Sequence, residues 1–502
     1  MLQLHKKLTG LSEILTFFRH NETPLFFVSA TPYNLLGLDR WVHNFEYISY
    51  YDSFDGHHPC VFVPQEKGLR DFGSMKETNN CLLGHKEVFD WIRRRGPASK
   101  LIFVMFDQET EELAADLGVE IALPPAALRT WIDSKIVTTQ LGNEVGVASV
   151  PNVLGHATSY AELCTLARGA GLGEDLVIQA AYGDSGRTTF FIRNEQDWNT
   201  YARQVVGQDL KIMKRINHMP GTLEACVTRY GTLVGPLMME VTGYTELTPY
   251  KGGWCGNDVC HAPLLDKNQQ RIHTMVQVLG ERLSREGYRG VFCVDFLIDI
   301  DTGEVYLGEI NPRVSGISPL TNLITSTYGG VPLFLFHLLE FLDIDYEVDL
   351  NEIQARWADF APWSQLVLKQ TEDTVGVITQ APASGRWRMN DDGAIHFVRH
   401  ERDWHTVTHE QEAFYLRVSG VGEHCYQGCD LGILVMPGRV QTDARRLSER
   451  ARAWTAGIKA HFQRRPSTPA APLASLPLRT PQTRGRKPNK HAHAVGTVSH
   501  RA

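Results

Sequence analysis

No run of about 18 uninterrupted apolar residues occurs in the 502-residue chain, so no segment is expected to cross a membrane. The first expected strand, from Pro24 to Val28, is followed by Ser29-Ala-Thr-Pro32 and not by a glycine-rich fingerprint, which removes support for nicotinamide binding. Cysteine is sparse: nine residues, at 60, 81, 164, 226, 255, 260, 293, 425 and 429, make an odd, thinly spread set. A disulfide framework is therefore not expected, and a reducing cytoplasm fits. His424, Cys425 and Cys429 lack a second pair at zinc-ligand spacing and read as free side chains. Cys255 and Cys260, in glycine-rich surroundings, leave room for a recognition role. Excess positive charge is also missing. A formal net charge of -7 argues against a body that neutralises a phosphate backbone, so no nucleic-acid partner is expected. No acid follows Glu449, and residues 463–502, rich in Pro, Ser, Thr, Ala, Lys and Arg, read as a disordered basic tail.

The chain is long enough for two to four cores. A removable leader is not expected: Ser12, Glu13 and Thr16 interrupt the apolar run, while Leu11, Ile14, Leu15 and Phe18 fall at helical spacing. Short apolar runs at 24–28, 60–63, 101–106 and 119–123 alternate with helical patterns, the mark of a parallel sheet with crossover helices. A second unit starts near Asp133-Ser-Lys135. Its strand Leu176-Val-Ile-Gln179 runs into Gly183-Asp-Ser185-Gly186-Arg187-Thr, predicting a hairpin lid. A third, α+β segment spans 346–462.

The stretch from Gly290 to Arg313 is the most informative. Asp301-Thr302-Gly303 separates two apolar runs as a hairpin turn does. With the turn centred on Thr302, Asp295 stands opposite Glu309, and period-two alternation puts Asn311 on the same face. Two carboxylates this close inside an apolar ribbon are costly without a cation, and oxygen donors of this kind suit Mg²⁺, with Mn²⁺ as the alternative.

This stretch resembles the metal-binding hairpin of the ATP-grasp enzymes, and the order of units is most similar to their biotin-carboxylase branch. The resemblance implies α/β and α+β architecture: a pre-ATP-grasp α/β domain (1–130), an ATP-grasp domain (131–345, with the hairpin lid at about 135–210) and a C-terminal α+β domain (346–462). It implies ATP and Mg²⁺ as cofactors, Asp295, Glu309 and Asn311 as metal ligands, and Arg313 facing the acceptor or an acyl phosphate. Lys135 resembles the family's first ATP-phosphate lysine, and Gly183, Ser185 and Gly186 its flexible phosphate loop. Lys211 and Lys214 lie in the segment resembling the adenine-reading hinge, and Glu224 matches an acidic position of the branch.

Two departures matter. Gln179 stands where the family usually has a second phosphate-binding lysine, so another cation must serve. Arg187 is the preferred substitute, with Lys211 and Lys214 as alternatives. After Arg313 the chain reads Val-Ser-Gly-Ile-Ser, without the acidic set that handles bicarbonate in biotin carboxylases. The expected activity is therefore ligation of a small-molecule carboxylate to an amine through an acyl phosphate, releasing ADP and phosphate. A bicarbonate-activating enzyme and a non-catalytic ATP-binding regulator are the alternatives, and a homodimer is compatible with the resemblance.

Overall fold

A computed structural model describes residues 7–65, 72–183 and 188–466. Near the N-terminus, a five-stranded parallel sheet runs Val61–Phe62, Phe45–Ser49, Leu25–Ser29, Lys100–Phe103, Glu120–Ile121. Leu25, Phe26, Phe27 and Val28 are all fully buried, as continuous apolar strands covered on both faces must be. The strand Phe45–Ser49 is absent from the sequence reading because Glu46 interrupts its apolar run. Trp91 Nε1 donates to that carboxylate at 2.9 Å and Arg95 pairs with it.

The segment expected as a hairpin lid, called the lid below, is more than a hairpin. Lys135–Glu144, expected within it, is a helix lying on strand Val305–Asn311, where Ile310 N donates to Thr138 Oγ1 at 3.3 Å. The lid proper is a four-stranded antiparallel sheet, ordered Asn152–Gly155, Leu210–Lys214, Leu176–Ala180, Thr189–Ile192. Helices Tyr160–Gly169 and Glu195–Val205 supply Leu163 and Trp198 to its core, against Ile178 and Ile212.

The central sheet has 11 strands. From the edge inward it runs Val305–Asn311, Gly290–Asp299, His218–Thr228, Met238–Thr242 and Trp254–Val259. It continues through Trp363–Lys369, Asp430–Pro437, Glu412–Arg417, Gly385–Met389 and Ile395–Arg399, and the eleventh strand, Gly231–Val234, pairs with His218–Thr228 off this path. The C-terminal segment thus extends this sheet. Asp258 stitches the joint, accepting from Ser364 Oγ, from Val440 N at 2.9 Å and from Gln441 N at 3.0 Å. Gln463–Pro466 pairs with Gly376–Gln380, so the expected tail does not begin at 463; residues 467–502 lie outside the described residues. Among the described residues, no helix is long and apolar enough to cross a membrane.

Candidate active site

The hairpin that places the acids is built around one extra residue. Ile298 pairs with Val305 and Phe296 with Leu307, a register that would put Asp295 opposite Gly308. A bulge at Gly308 shifts the register by one, so Asp295 meets Glu309, and Cys293 meets Asn311. Without it Glu309 would turn to the other face. Only glycine fits there, because a Cβ would stand 2.9 Å from the carbonyl oxygen of Asp295. Asp299 closes the turn, its Oδ1 accepting from Asp301 N at 2.9 Å and Thr302 N at 3.2 Å.

Around this pair the charges interlock. Lys135 Nζ lies 2.6 Å from Glu309 Oε2 and donates to Gly183 O at 3.1 Å, joining helix, hairpin and lid. Asp295 accepts from Thr222 Oγ1 at 2.7 Å and from Asn311 Nδ2 at 3.1 Å, and Arg313 donates to Asn311 Oδ1 at 2.7 Å. Asn311, expected as a ligand, here offers nitrogen to the carboxylate; a turn of its amide would present oxygen at the same place. Burial and the charge of Glu309 push Asp295 up to about 7. Burial would also raise Glu309, but the Lys135 ammonium outweighs it and holds the group below its ordinary range. Two carboxylates and an amide oxygen, still reachable at the 29% exposed side chain of Glu309, form a donor set that fits Mg²⁺.

Not every expected site residue comes here. Glu224 is fully buried, with Ser318 Oγ donating to its Oε1, and burial pushes it up to about 8, so it stands apart from the charges around Asp295 and Glu309 as a sealed acid. Lys214 is exposed at the end of its strand, on the opposite face from Lys211. Ser185, Gly186 and Arg187 lie outside the described residues. Gln179 sits in the lid sheet, its Nε2 donating to Thr189 Oγ1 at 3.2 Å. Cys255 and Cys260, given room for a recognition role, are buried, and the Cys255 thiol is turned to Val241 O.

The sequence reading missed Glu240. Met238 pairs with Thr222, so Glu240, two residues on, shares the face of Asp295 and Glu309. Burial and those two carboxylates raise its acid well above the usual range. The signal was an acid inside Met238-Met-Glu-Val-Thr242, an otherwise apolar strand. Beyond Arg313, Trp254 packs on Gly316 so tightly that a Cβ would come within 2.6 Å of the ring. Asn34 Nδ2 holds Ser315 O at 2.8 Å and Gln365 Nε2 holds Gly316 O at 2.7 Å, fixing this wall from two sides.

No protein-family model and no curated protein sequence matches the chain. Solved structures do. The biotin carboxylase domain of a Hydrogenobacter thermophilus 2-oxoglutarate carboxylase, a dimer in complex with MgADP, ADP and bicarbonate, aligns with a TM-score of 0.57 at 14% identity, over 84% of this chain and 87% of that one. The chain has the ATP-grasp fold. Biotin carboxylase from Campylobacter jejuni aligns at 0.57 and 12% identity, over 88% of this chain and 92% of that one. N5-carboxyaminoimidazole synthase from Aspergillus clavatus, in complex with ADP and 5-aminoimidazole ribonucleotide, gives 0.52 at 13%, over 83% and 94%. The ATP-grasp fold thus extends over most of the chain.

Proposed function

We propose that this ATP-grasp protein is an ATP-dependent carboxylate–amine ligase that works through an acyl phosphate and releases ADP and phosphate. What supports it above others is the acid pair Asp295 and Glu309, with Lys135 on Glu309 and Arg313 on Asn311, in a chain that beyond the arginine reads Val-Ser-Gly-Ile-Ser without the acidic set expected for bicarbonate. Two of the neighbours named above are in complex with ADP, which supports nucleotide use at this site.

Asp295 and Glu309, with Asn311 turned, would hold Mg²⁺, which supplies charge neutralisation on the transferred phosphoryl group. Lys135 neutralises the phosphate chain from a helix N-terminus, where the backbone also favours anions. Arg313 orients the substrate carboxylate, whose oxygen attacks the terminal phosphorus as ADP leaves. The lid keeps water away while the amine attacks the acyl carbon, expels phosphate and gives up its proton to the departing phosphate. Arg313, Ser315 and Gly316 would line the acceptor side, with Asp133 Oδ1 3.8 Å from Arg313 Nε.

ADP release in the presence of ATP, Mg²⁺ and a pool of amino acids, with and without bicarbonate, tests the reading. Release that needs the amino acids supports it, with the product identified by mass spectrometry. Release that follows bicarbonate alone transfers the site to carboxylation, and nucleotide binding without release under either condition leaves a regulator.

A further inference from the structure

We infer that Lys211 is the second phosphate-binding cation of the cleft, acting from the strand beside Gln179. This rests on the nucleotide-binding reading above and adds to it the group that completes the anion site.

In the lid sheet Lys211 is the direct antiparallel partner of Gln179, and Thr189 is the partner on the other side. Directly opposed residues project from the same face with Cβ atoms roughly 5 Å apart, so a cation at 211 and one at 179 would serve nearly the same space. Gln179 brings no charge to it, and its amide is occupied by Thr189. Lys211 brings a charge that the fold alone does not need. It is 1% exposed, and among the described residues its ammonium meets Ser149 Oγ at 3.2 Å and Gly308 O at 3.5 Å, neutral oxygens at the limit of bonding. The charge of Glu309 favours this ammonium from beyond ion-pair distance while that of Lys135 opposes it, so its burial is only partly compensated.

The direction of the side chain decides the assignment. Gly308 is the bulge residue that turns Glu309 into the cleft, and Lys135 approaches Glu309 from the helix side. Two ammonium groups from separate elements, the Lys135–Glu144 helix and the Leu210–Lys214 strand, therefore converge on one seam between lid and hairpin. Ser149, bridged to Leu307 beside them, holds the Lys211 ammonium at that seam. A seam with two cations facing an acid pair is suited to a polyanion that arrives with its own divalent ion, as a nucleotide polyphosphate does.

Isothermal titration of the full-length protein with the non-hydrolysable analogue AMP-PNP in Mg²⁺, and separately with adenosine, tests this. Lys211→Gln is expected to weaken AMP-PNP about 10- to 100-fold, the range of a charged hydrogen bond, and to leave adenosine within about twofold. The exchange Lys211→Gln with Gln179→Lys is expected to recover most of the loss, because the charge returns from the neighbouring strand. Should Lys211→Gln fail to fold, as judged by its melting curve, Lys211→Met replaces it in both arms. An unchanged AMP-PNP affinity, an equal loss for adenosine, or additive effects of the two exchanges would overturn the assignment. If Arg187→Ala weakens AMP-PNP while Lys211→Gln does not, the role belongs to Arg187. Wild-type protein that binds neither probe would instead remove the nucleotide reading, an outcome distinct from all of these.

Discussion

Two neighbouring rows on one face of the central sheet hold acids of the same type with opposite fates. Thr222, Asp295 and Glu309 form one row across three strands, and Glu224, Cys293 and Asn311 form the next, two residues or about 7 Å along. The first row opens into the cleft and is met by Lys135. Helix Ser318–Gly329 covers the Glu224 end of the second, where the Ser318 hydroxyl meets the acid, while Asn311 at its other end joins Asp295. Glu309 is accordingly held ionised while Glu224, raised to about 8, stays protonated at neutral pH. What covers a row decides whether its acid is a ligand or a piece of core, and sequence spacing carries no information on that point.

The most direct way to break the comparison is to neutralise one acid from each row. Glu309→Gln is expected to reduce ATP turnover at least about 100-fold, since loss of an outer partner of a metal site already costs 10- to 100-fold, while the melting temperature changes little. Glu224→Gln should keep turnover within about threefold. Equal losses in an ADP-release assay would show that the two rows work as one site.

Gly308→Ala attacks the device that separates the rows. A Cβ at 308 would crowd the Asp295 carbonyl at 2.9 Å, and backbone cannot yield as a flexible side chain does. Either the bulge moves, turning Glu309 out of the cleft, or the hairpin strains by about 1–3 kcal/mol. Both outcomes lower turnover, by about tenfold or more, and the second also lowers the urea midpoint. Wild-type turnover with a wild-type midpoint would mean the bulge does not position Glu309.

Much of this arrangement was legible because local chemistry fixed it. Alternation and the Asp301-Thr302-Gly303 turn place Asp295 across from Glu309, although by a different route: the turn is centred half a residue earlier and the bulge at Gly308 restores the pairing. The parallel sheet was legible in its apolar runs except at Phe45–Ser49, where paired Glu46 broke the pattern. Illegible features are those set by tertiary covering. Glu224 needed knowledge of the helix above it, Glu240 of the strand beside Thr222, and Lys211 of the register with Gln179. Residues 363–437 read as a separate unit because nothing local reveals that Trp254–Val259 pairs with Trp363–Lys369.

The sealed row also predicts how stability follows pH. Glu224 has a folded pKa of about 8, above its ordinary 4.5, so its contribution is fully present below about 4.5 and drains away as pH rises to 8. His337 runs the other way. Its Nδ1 accepts from Val291 N at 3.1 Å and its Nε2–H donates to Ala122 O at 2.8 Å, so the ring is neutral. Burial lowers it to about 4, so its contribution is present above about 6.5 and is lost as pH falls to 4. At about 1.4 kcal/mol per pKa unit the effects are at most on the order of 5 kcal/mol for Glu224 and 3 kcal/mol for His337. Urea midpoints from pH 4 to 8.5 should show Glu224→Gln flattening the alkaline decline and His337→Gln flattening the acid one. Unchanged slopes in both variants would refute this account of the two buried groups.

The smallest expected effect concerns two lysines on one strand. Lys211 and Lys214 are three residues apart, so alternation sends them to opposite faces of Leu210–Lys214. One is buried beside the Gly308 carbonyl and the other stands in solvent. An exposed charge without a fixed partner contributes little, within about 0.5 kcal/mol for a surface substitution. Lys214→Ala is therefore expected to leave the Michaelis constant for ATP, turnover and the urea midpoint near wild type. This comparison also guards the reading of the cleft, because both lysines lie in the segment whose resemblance assigned it to the adenine hinge. If Lys214→Ala raised the Michaelis constant for ATP severalfold while adenosine affinity held, the phosphate chain would have to pass along the outer face of the lid strand. The seam between lid and hairpin, and the pairing of Lys211 with Gln179 there, would then be the wrong place to look for the nucleotide.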